Sequence, residues 1–250
     1  MPQLKTQHTS KLFFKKYKYK AVVTTPQTSF IRYASKKDIE NLFSAESREQ
    51  WTGITSPLSY GYGSFSVGTL HDYKDKQHKR VWDNRFNLYK LFNWLNENYD
   101  NKNHQIRNEG DKLALFTNDK ATWESFCDAF KNQITELVWP KNEKHEAYLN
   151  KNPTHIICKN LPYNKYRYKI NLRGRVARQD GFKEWIQNYK GDIKASGNLL
   201  DGIKRGYYFS DGKFLYSTNS EMMLLLQMYL GDSIRSIQQY ITEAELDGQH

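Results

Sequence analysis

Cysteine is nearly absent: Cys127 and Cys158 are the two in 250 residues, too few for a disulfide framework or a four-cysteine metal site. Reduced thiols in a cytosolic setting are the expectation. No run approaches the roughly 18 apolar residues of a membrane span. The longest, Met222–Leu226 and on to Leu230, reads as a buried helix. Lys11–Lys20 is basic and aromatic where a secretory signal would be apolar. These absences predict a soluble cytoplasmic protein (host cytoplasm if the chain is viral) with no membrane partner. Catalytic signatures are missing as well. There is no Gly-x-Ser-x-Gly, no P-loop and no GxGxxG. Asp111, Asp119 and Asp211 read as turn and cap residues, not as paired catalytic carboxylates. No cofactor, no resident metal and, on balance, no enzyme is expected.

Aromatic residues and positive charge are plentiful. Phe, Trp and Tyr make up 15% of the chain, with 18 Tyr and 13 Phe, although the apolar fraction is only 38%. Disordered chains lack such ring content, so a packed core built largely from aromatics is predicted. The formal charge is +11, which favours polyanionic partners: nucleic acid, an anionic surface or an acidic protein.

The sequence repeats itself. Phe14-Lys-Lys-Tyr17-Lys-Tyr19-Lys20-Ala-Val-Val23 resembles Tyr163-Asn-Lys-Tyr166-Arg-Tyr168-Lys169-Ile-Asn-Leu172, and both alternate with the period of a half-buried strand. Phe92–Tyr99 echoes Phe182–Tyr189 with helical apolar spacing. Gly110–Asp119 matches Asp211–Ser220, each a turn, a short strand and a helix start, with Asp119 and Ser220 as expected N-caps. Helices over Ala121–Lys131 and Glu221–Leu230 then lead into alternating runs at Ile134–Trp139 and Ile234–Ile241. With Gln105–Glu109 and Gly206–Ser210 as second strands, each half reads βαββαβ.

The expected fold is α+β, two tandem ferredoxin-like units with a long insertion in the first. Residues 1–140 form the first unit, with the insertion at 24–80; 141–153 are a linker; 154–250 form the second unit. The insertion holds a short helix at Lys36–Phe43 and a glycine-rich loop, Ser59–Gly68. The second half adds Gly191–Lys204 between its first helix and second strand. The tandem architecture is similar to that of the repeat-associated RNA-processing proteins that bind and sometimes cut CRISPR RNA. The glycine-rich loop those proteins place near the end of the second unit is not found here, since Met222–Gln239 has the single glycine Gly231. No catalytic residue is carried over from them.

In a ferredoxin-like sheet the first strand is central and helices cover one face. Alternation then places Lys16, Lys18 and Lys20, and likewise Lys165, Arg167, Lys169 and Arg173, on the helix-free faces. Such faces, with rings such as Phe116 and Tyr216 nearby, suit a phosphate backbone with stacked bases. The competing reading is that the lysines are merely solvated. Tyr60 and Tyr62 between Gly61, Gly63 and Gly68 add a loop able to approach phosphate while its rings stack. The leading expectation is a non-catalytic nucleic-acid-binding protein, RNA or another single-stranded polymer favoured. The first alternative is an assembly protein, of viral type, that forms homo-oligomers through the insertion. The second is a metal-independent endoribonuclease using His71 or His78 beside Lys79 and Arg80. A metal set of His71, Asp72, Asp75 and His78 lacks recognisable ligand spacing.

Overall fold

The computed structural model of the chain describes residues 4–26, 31, 36–52, 76, 79–100, 102–109, 111–173, 181–205 and 213–248. It divides into two compact units, one of residues 1–9 and 16–140, the other of residues 10–15 and 141–250.

In the first unit the strands are β1 (Lys5–His8), β2 (Tyr19–Thr24), β3 (His104–Glu109), β4 (Lys112–Thr117) and β5 (Ile134–Trp139). They form one sheet in the order β1-β5-β2-β4-β3. Without β1, this is the ferredoxin-like arrangement, with the first strand β2 between the third and fourth. Helices α1 (Lys36–Ser44) and α2 (Arg48–Thr52) lie in the insertion. Helix α3 (Arg85–Asn98) precedes β3 and α4 (Lys120–Ala129) precedes β5. Leu88, Leu91, Trp94 and Leu95 share the buried stripe of α3. Trp94 and Leu95 close with Phe126 and Phe130 over Ala21 and Val23 of β2 and Leu113 and Leu115 of β4. Each such side chain contributes about 1.5–3 kcal/mol on full burial. Helix α4 starts where Asp119 accepts from the Ala121 and Thr122 amides.

The second unit repeats the plan. Helix α5 (Glu143–Lys151) and strand β6 (His155–Cys158) lead into β7 (Tyr168–Leu172), α6 (Phe182–Asn188) and β8 (Ile193–Ala195). There follow α7 (Gly197–Arg205), β9 (Phe214–Ser217), α8 (Ser220–Leu230), β10 (Ile234–Thr242) and α9 (Glu243–Gly248). The sheet order is β6-β10-β7-β9-β8. Phe182, Ile186, Leu226 and Leu230 pack on Ile170, Leu172 and Leu215.

The two tandem ferredoxin-like units are duplicates down to their irregularities. Tyr19 pairs with Thr117 and its counterpart Tyr168 with Ser217. Val23 and Leu172 are set opposite Ile134 and Ile234, with a register shift beside each of these pairs. Both units also carry an added strand, β1 or β6, parallel to the last strand.

Several expectations need correcting. The alternating run from Phe14 is not all strand: Phe14 and Lys15 have φ of 53° and 59°, and β2 begins only at Tyr19. The same device recurs at Tyr163 and Asn164, with φ of 54° and 56°. The repeat at the third strand is offset by one residue from the sequence match, because pairing equates Thr117 with Ser217 rather than Thr218. A one-residue slip would turn the core face outward. Asn219, not Ser220, therefore caps α8, accepting from the Met222 amide. The second strand of the second unit is β8 at Ile193–Ala195, inside the stretch read as an insertion; Gly206–Ser210 lies outside the described residues. Residues 141–153, expected as a linker, contain α5, which Asn142 caps and which buries His145 and Leu149 within the second unit. Leu149 joins Leu12, Ile157, Ile241 and Leu246 in a small separate core.

Candidate functional site

The helix-free faces of the two sheets are built from counterpart positions, and their chemistry differs. In the first unit Val22, Ala114, Phe116 and Val138 sit across neighbouring strands on this face. All four are buried, Phe116 to 5% exposure, so it presents no ring for stacking. Lys20 lies beside them and pairs with Glu136 at 2.8 Å. Lys16 is exposed, donates to the Lys102 carbonyl at 2.5 Å and lies 4.9 Å from the Tyr17 ring centre. Lys18 stands 5.8 Å from the Tyr19 ring, and its amide donates to Asn118 Oδ1 at 3.2 Å. The expected row of free strand cations is thus broken at Lys20, where a carboxylate neutralises the charge.

In the second unit the same positions carry Asn171, Phe214, Tyr216 and Gln238. Ser236 takes the place of Glu136, so Lys169, the counterpart of Lys20, faces no carboxylate there. Its Nζ instead lies 4.1 Å over the Phe214 ring. Burial, and secondarily Lys11, hold the Lys169 ammonium below the usual lysine range. Asn171 bonds Ser236 and Gln238 across the strand pair at 3.1 and 3.3 Å.

Tyr216 is the centre of the face. Its ring stands 5.1 Å from Phe214, 5.8 Å from Tyr163, 5.8 Å from Tyr166 and 6.4 Å from Tyr240. Tyr163 projects from the positive-φ turn and is 63% exposed. The Lys194 ammonium lies 3.7 Å over its ring, a distance at which cation–π attraction is strong. Lys165 is exposed and donates to the Gly191 carbonyl. Burial first, then Tyr216, pushes the Tyr240 hydroxyl well above the usual phenol range, so it stays a protonated donor. Burial raises Tyr166 as well, with Asp192 and Tyr163 adding to it.

Arg167 is withdrawn from this set. Its guanidinium grips Glu245 of α9 at 2.6 and 3.2 Å. Glu245 also accepts from the Thr242 amide and hydroxyl at 2.9 Å each, while its own amide donates to Thr242 Oγ1. This is a Thr-x-x-Glu capping box whose acid is additionally ion-paired. Hydrogen bonding from Arg167, then from Thr242, holds the Glu245 carboxyl down at about 2. Arg167 is a structural residue that anchors the last helix to the central strand.

Of the residues singled out from sequence, the structure brings Lys165 and Lys169 to one face with the rings and leaves Arg173 exposed at the far end of β7. Lys16, Lys18 and Lys20 belong to the other unit. Tyr60, Tyr62, His71 and His78 lie outside the described residues. Lys194 and Tyr163 were not found from sequence: the first sits in the supposed insertion, and the second was read as an ordinary strand residue. Among the described residues no group of three or more His, Cys, Asp or Glu is placed to hold a metal, and no helix is long and apolar enough to cross a membrane. No family model, no curated protein and no solved structure matches the chain.

Proposed function

We propose that the second unit binds single-stranded nucleic acid on its helix-free face, with RNA the first polymer to test. The observation that carries this reading is the interleaving of cations and rings about Tyr216, with Lys169 over Phe214 and Lys194 over Tyr163. Lysine over a ring is a resting arrangement that a nucleotide can exchange. The ammonium swings to phosphate on its flexible stem, and the ring face is freed for a base. Unpaired bases fit this chemistry better than a duplex, whose bases are already stacked on each other. The contrast with the first unit supports the reading: where that sheet buries Val22, Ala114 and Val138, the second spends the same positions on Asn171, Phe214 and Gln238.

The test is a fluorescence-anisotropy titration of nuclease-treated protein with single-stranded RNA, single-stranded DNA and duplex DNA at several salt concentrations. Binding that weakens steeply with salt is expected, as counterion release requires. Tyr163→Ala removes about 1–3 kcal/mol of stacking, or roughly 5- to 150-fold in affinity. Lys194→Glu weakens binding and flattens the salt dependence, whereas the same reversal at the exposed Lys120 of the first unit leaves both nearly unchanged. Wild-type affinity weaker than about 100 μM at physiological salt, the top of the usual range for non-specific binding, refutes the proposal.

A further inference from the structure

The second unit includes a piece of chain from far upstream. Residues 10–15 belong to it, although in sequence they lie at the start of the first repeat. Two contacts hold the piece in place. The Ile157 amide of β6 donates to the Ser10 carbonyl at 2.7 Å. Leu12 is buried with Leu149, Ile157, Ile241 and Leu246. Lys11 stands between these anchors, so its backbone is fixed while its side chain is exposed.

Fixing Lys11 there brings a second cation to Lys169. The two ammonium groups are near enough that Lys11 adds to burial in holding Lys169 below the usual lysine range. Among the described residues neither ammonium pairs with a carboxylate. The repeat does not require this arrangement. In the first unit Lys20, the counterpart of Lys169, is neutralised by Glu136 at 2.8 Å. Lys11 lies three residues before the positive-φ turn at Phe14, and the residue three before the matching turn at Tyr163 is the uncharged Asn160. Like charges gathered without an acid, one of them half-buried, are destabilising on their own and are relieved by a bound anion.

A third donor stands beside the pair. Gln238 lies directly across from Lys169 in the β7–β10 pairing, on the same face of the sheet. Its amide oxygen accepts from Asn171 Nδ2 at 3.3 Å, which leaves its own NH2 as the end open to a ligand. Two ammonium groups on flexible stems and one amide NH2 are donors only. A phosphate group, with charge and several acceptor oxygens, answers all three at once. We infer that Lys11, Lys169 and Gln238 form a phosphate site on the helix-free face of the second unit. The inference rests on the face chosen above for nucleic acid and names the groups that take the phosphate there. The same group is offered by the backbone of a nucleic-acid strand and by free phosphate. The strand is expected, because the rings about Tyr216 share the face.

Two measurements on the nuclease-treated full chain test it. In the first, amide NMR spectra are recorded in millimolar inorganic phosphate and in sodium chloride of equal ionic strength. Phosphate should shift the signals of Lys11, Lys169 and Gln238, and Lys11→Gln should abolish the shifts at the other two. In the second, the single-stranded RNA titration is repeated on variants. Lys11→Gln should weaken binding roughly 3- to 10-fold, the loss of one net hydrogen bond to phosphate. It should also lower the slope of log affinity against log salt by about 0.7, one phosphate contact on a single strand. Lys183→Gln, at an exposed position on α6 of the same unit, should leave both nearly unchanged. RNA binding that Lys11→Gln leaves within about twofold of wild type, with the slope unaltered, overturns the inference while the proposed function stands. A chain that binds no RNA, yet shows phosphate shifts that depend on Lys11, keeps the site, assigns it to free phosphate and refutes the nucleic-acid reading. Absence of both responses overturns the two together.

Discussion

Replacing Glu245 by Gln tests whether the last helix is held by the interactions seen around its first turn. The substitution keeps the side-chain shape and one acceptor for the Thr242 amide and hydroxyl, but it removes the charge that meets Arg167. Capping contacts contribute about 1 kcal/mol each, and exposed ion pairs about 0–1 kcal/mol. The Glu245 carboxyl is held at about 2, against an ordinary value near 4.5. Taken at face value that shift corresponds to about 3 kcal/mol. The side chains of Arg167 and Glu245 are 32% and 40% exposed, however, so solvent screening brings the expected loss down to about 1 kcal/mol. For a unit of this size, that lowers Tm by roughly 5 °C. The sign with pH follows from the depressed folded-state value. Stability from this carboxylate is fully present above the unfolded-state pKa near 4.5 and is lost as pH falls towards about 2. Melting curves of wild type and Glu245→Gln should therefore differ at pH 7 and converge near pH 2. An equal difference at both pH values, or a double-mutant cycle with Arg167→Ala that shows no coupling, refutes the account.

Other consequences are measurable. Phe126→Ala, which empties the centre of the first core, should cost about 3–5 kcal/mol in chemical denaturation; a loss below 1 kcal/mol would mean that the core is not packed as described. Burial pushes the Cys127 thiol up to about 12, and burial likewise raises Cys158, whose thiol donates to the Ile241 carbonyl. Iodoacetamide at pH 8 should accordingly label both slowly in the native protein and rapidly in denaturant; equal rates would contradict it. Gly181 begins α6 at φ 75°, so Gly181→Ala should destabilise the second unit by about 1 kcal/mol in the same denaturation assay.

The duplication was legible because Lys-Tyr-[Lys/Arg]-Tyr-Lys combines a rare composition with strict alternation, and alternation dictates which side chains enter the core. What precedes it was not. Phe14 and Lys15 are not residues that favour positive φ, so nothing in their types announces the first turn; only its counterpart carries a signal, in Pro162 and Asn164. The added strands Lys5–His8 and His155–Cys158 are four residues long, and only their pairing with β5 and β10 makes them strands. The Thr-x-x-Glu spacing of the Thr242–Glu245 capping box is readable in the sequence, but its ion pair with Arg167 joins residues 78 positions apart and is set by the fold. At the candidate site, Lys20 and Lys169 alone of the seven expected cations lie on a strand; Lys16 and Lys18 precede β2, and Lys165, Arg167 and Arg173 flank β7. Their surroundings differ through cross-strand neighbours, Glu136 for Lys20 and Phe214 for Lys169, which depend on a pairing register that alternation alone does not give.

The added parallel strands also bear on how the chain acquires its structure during synthesis. Lys5 of β1 pairs alongside Glu136 of β5, the opening strand of the first unit against its closing one. As the chain emerges from the ribosome, β1 has no partner until nearly the whole unit has followed it. The second unit has the same dependence, with His155 waiting for Gln239. Contacts that span so much sequence form slowly, since the entropy of closing a long loop must be overcome first. Each unit is therefore completed from its last strand backwards, and a nascent chain stalled before residue 134 would hold α3 and the β3–β4 hairpin without a finished sheet.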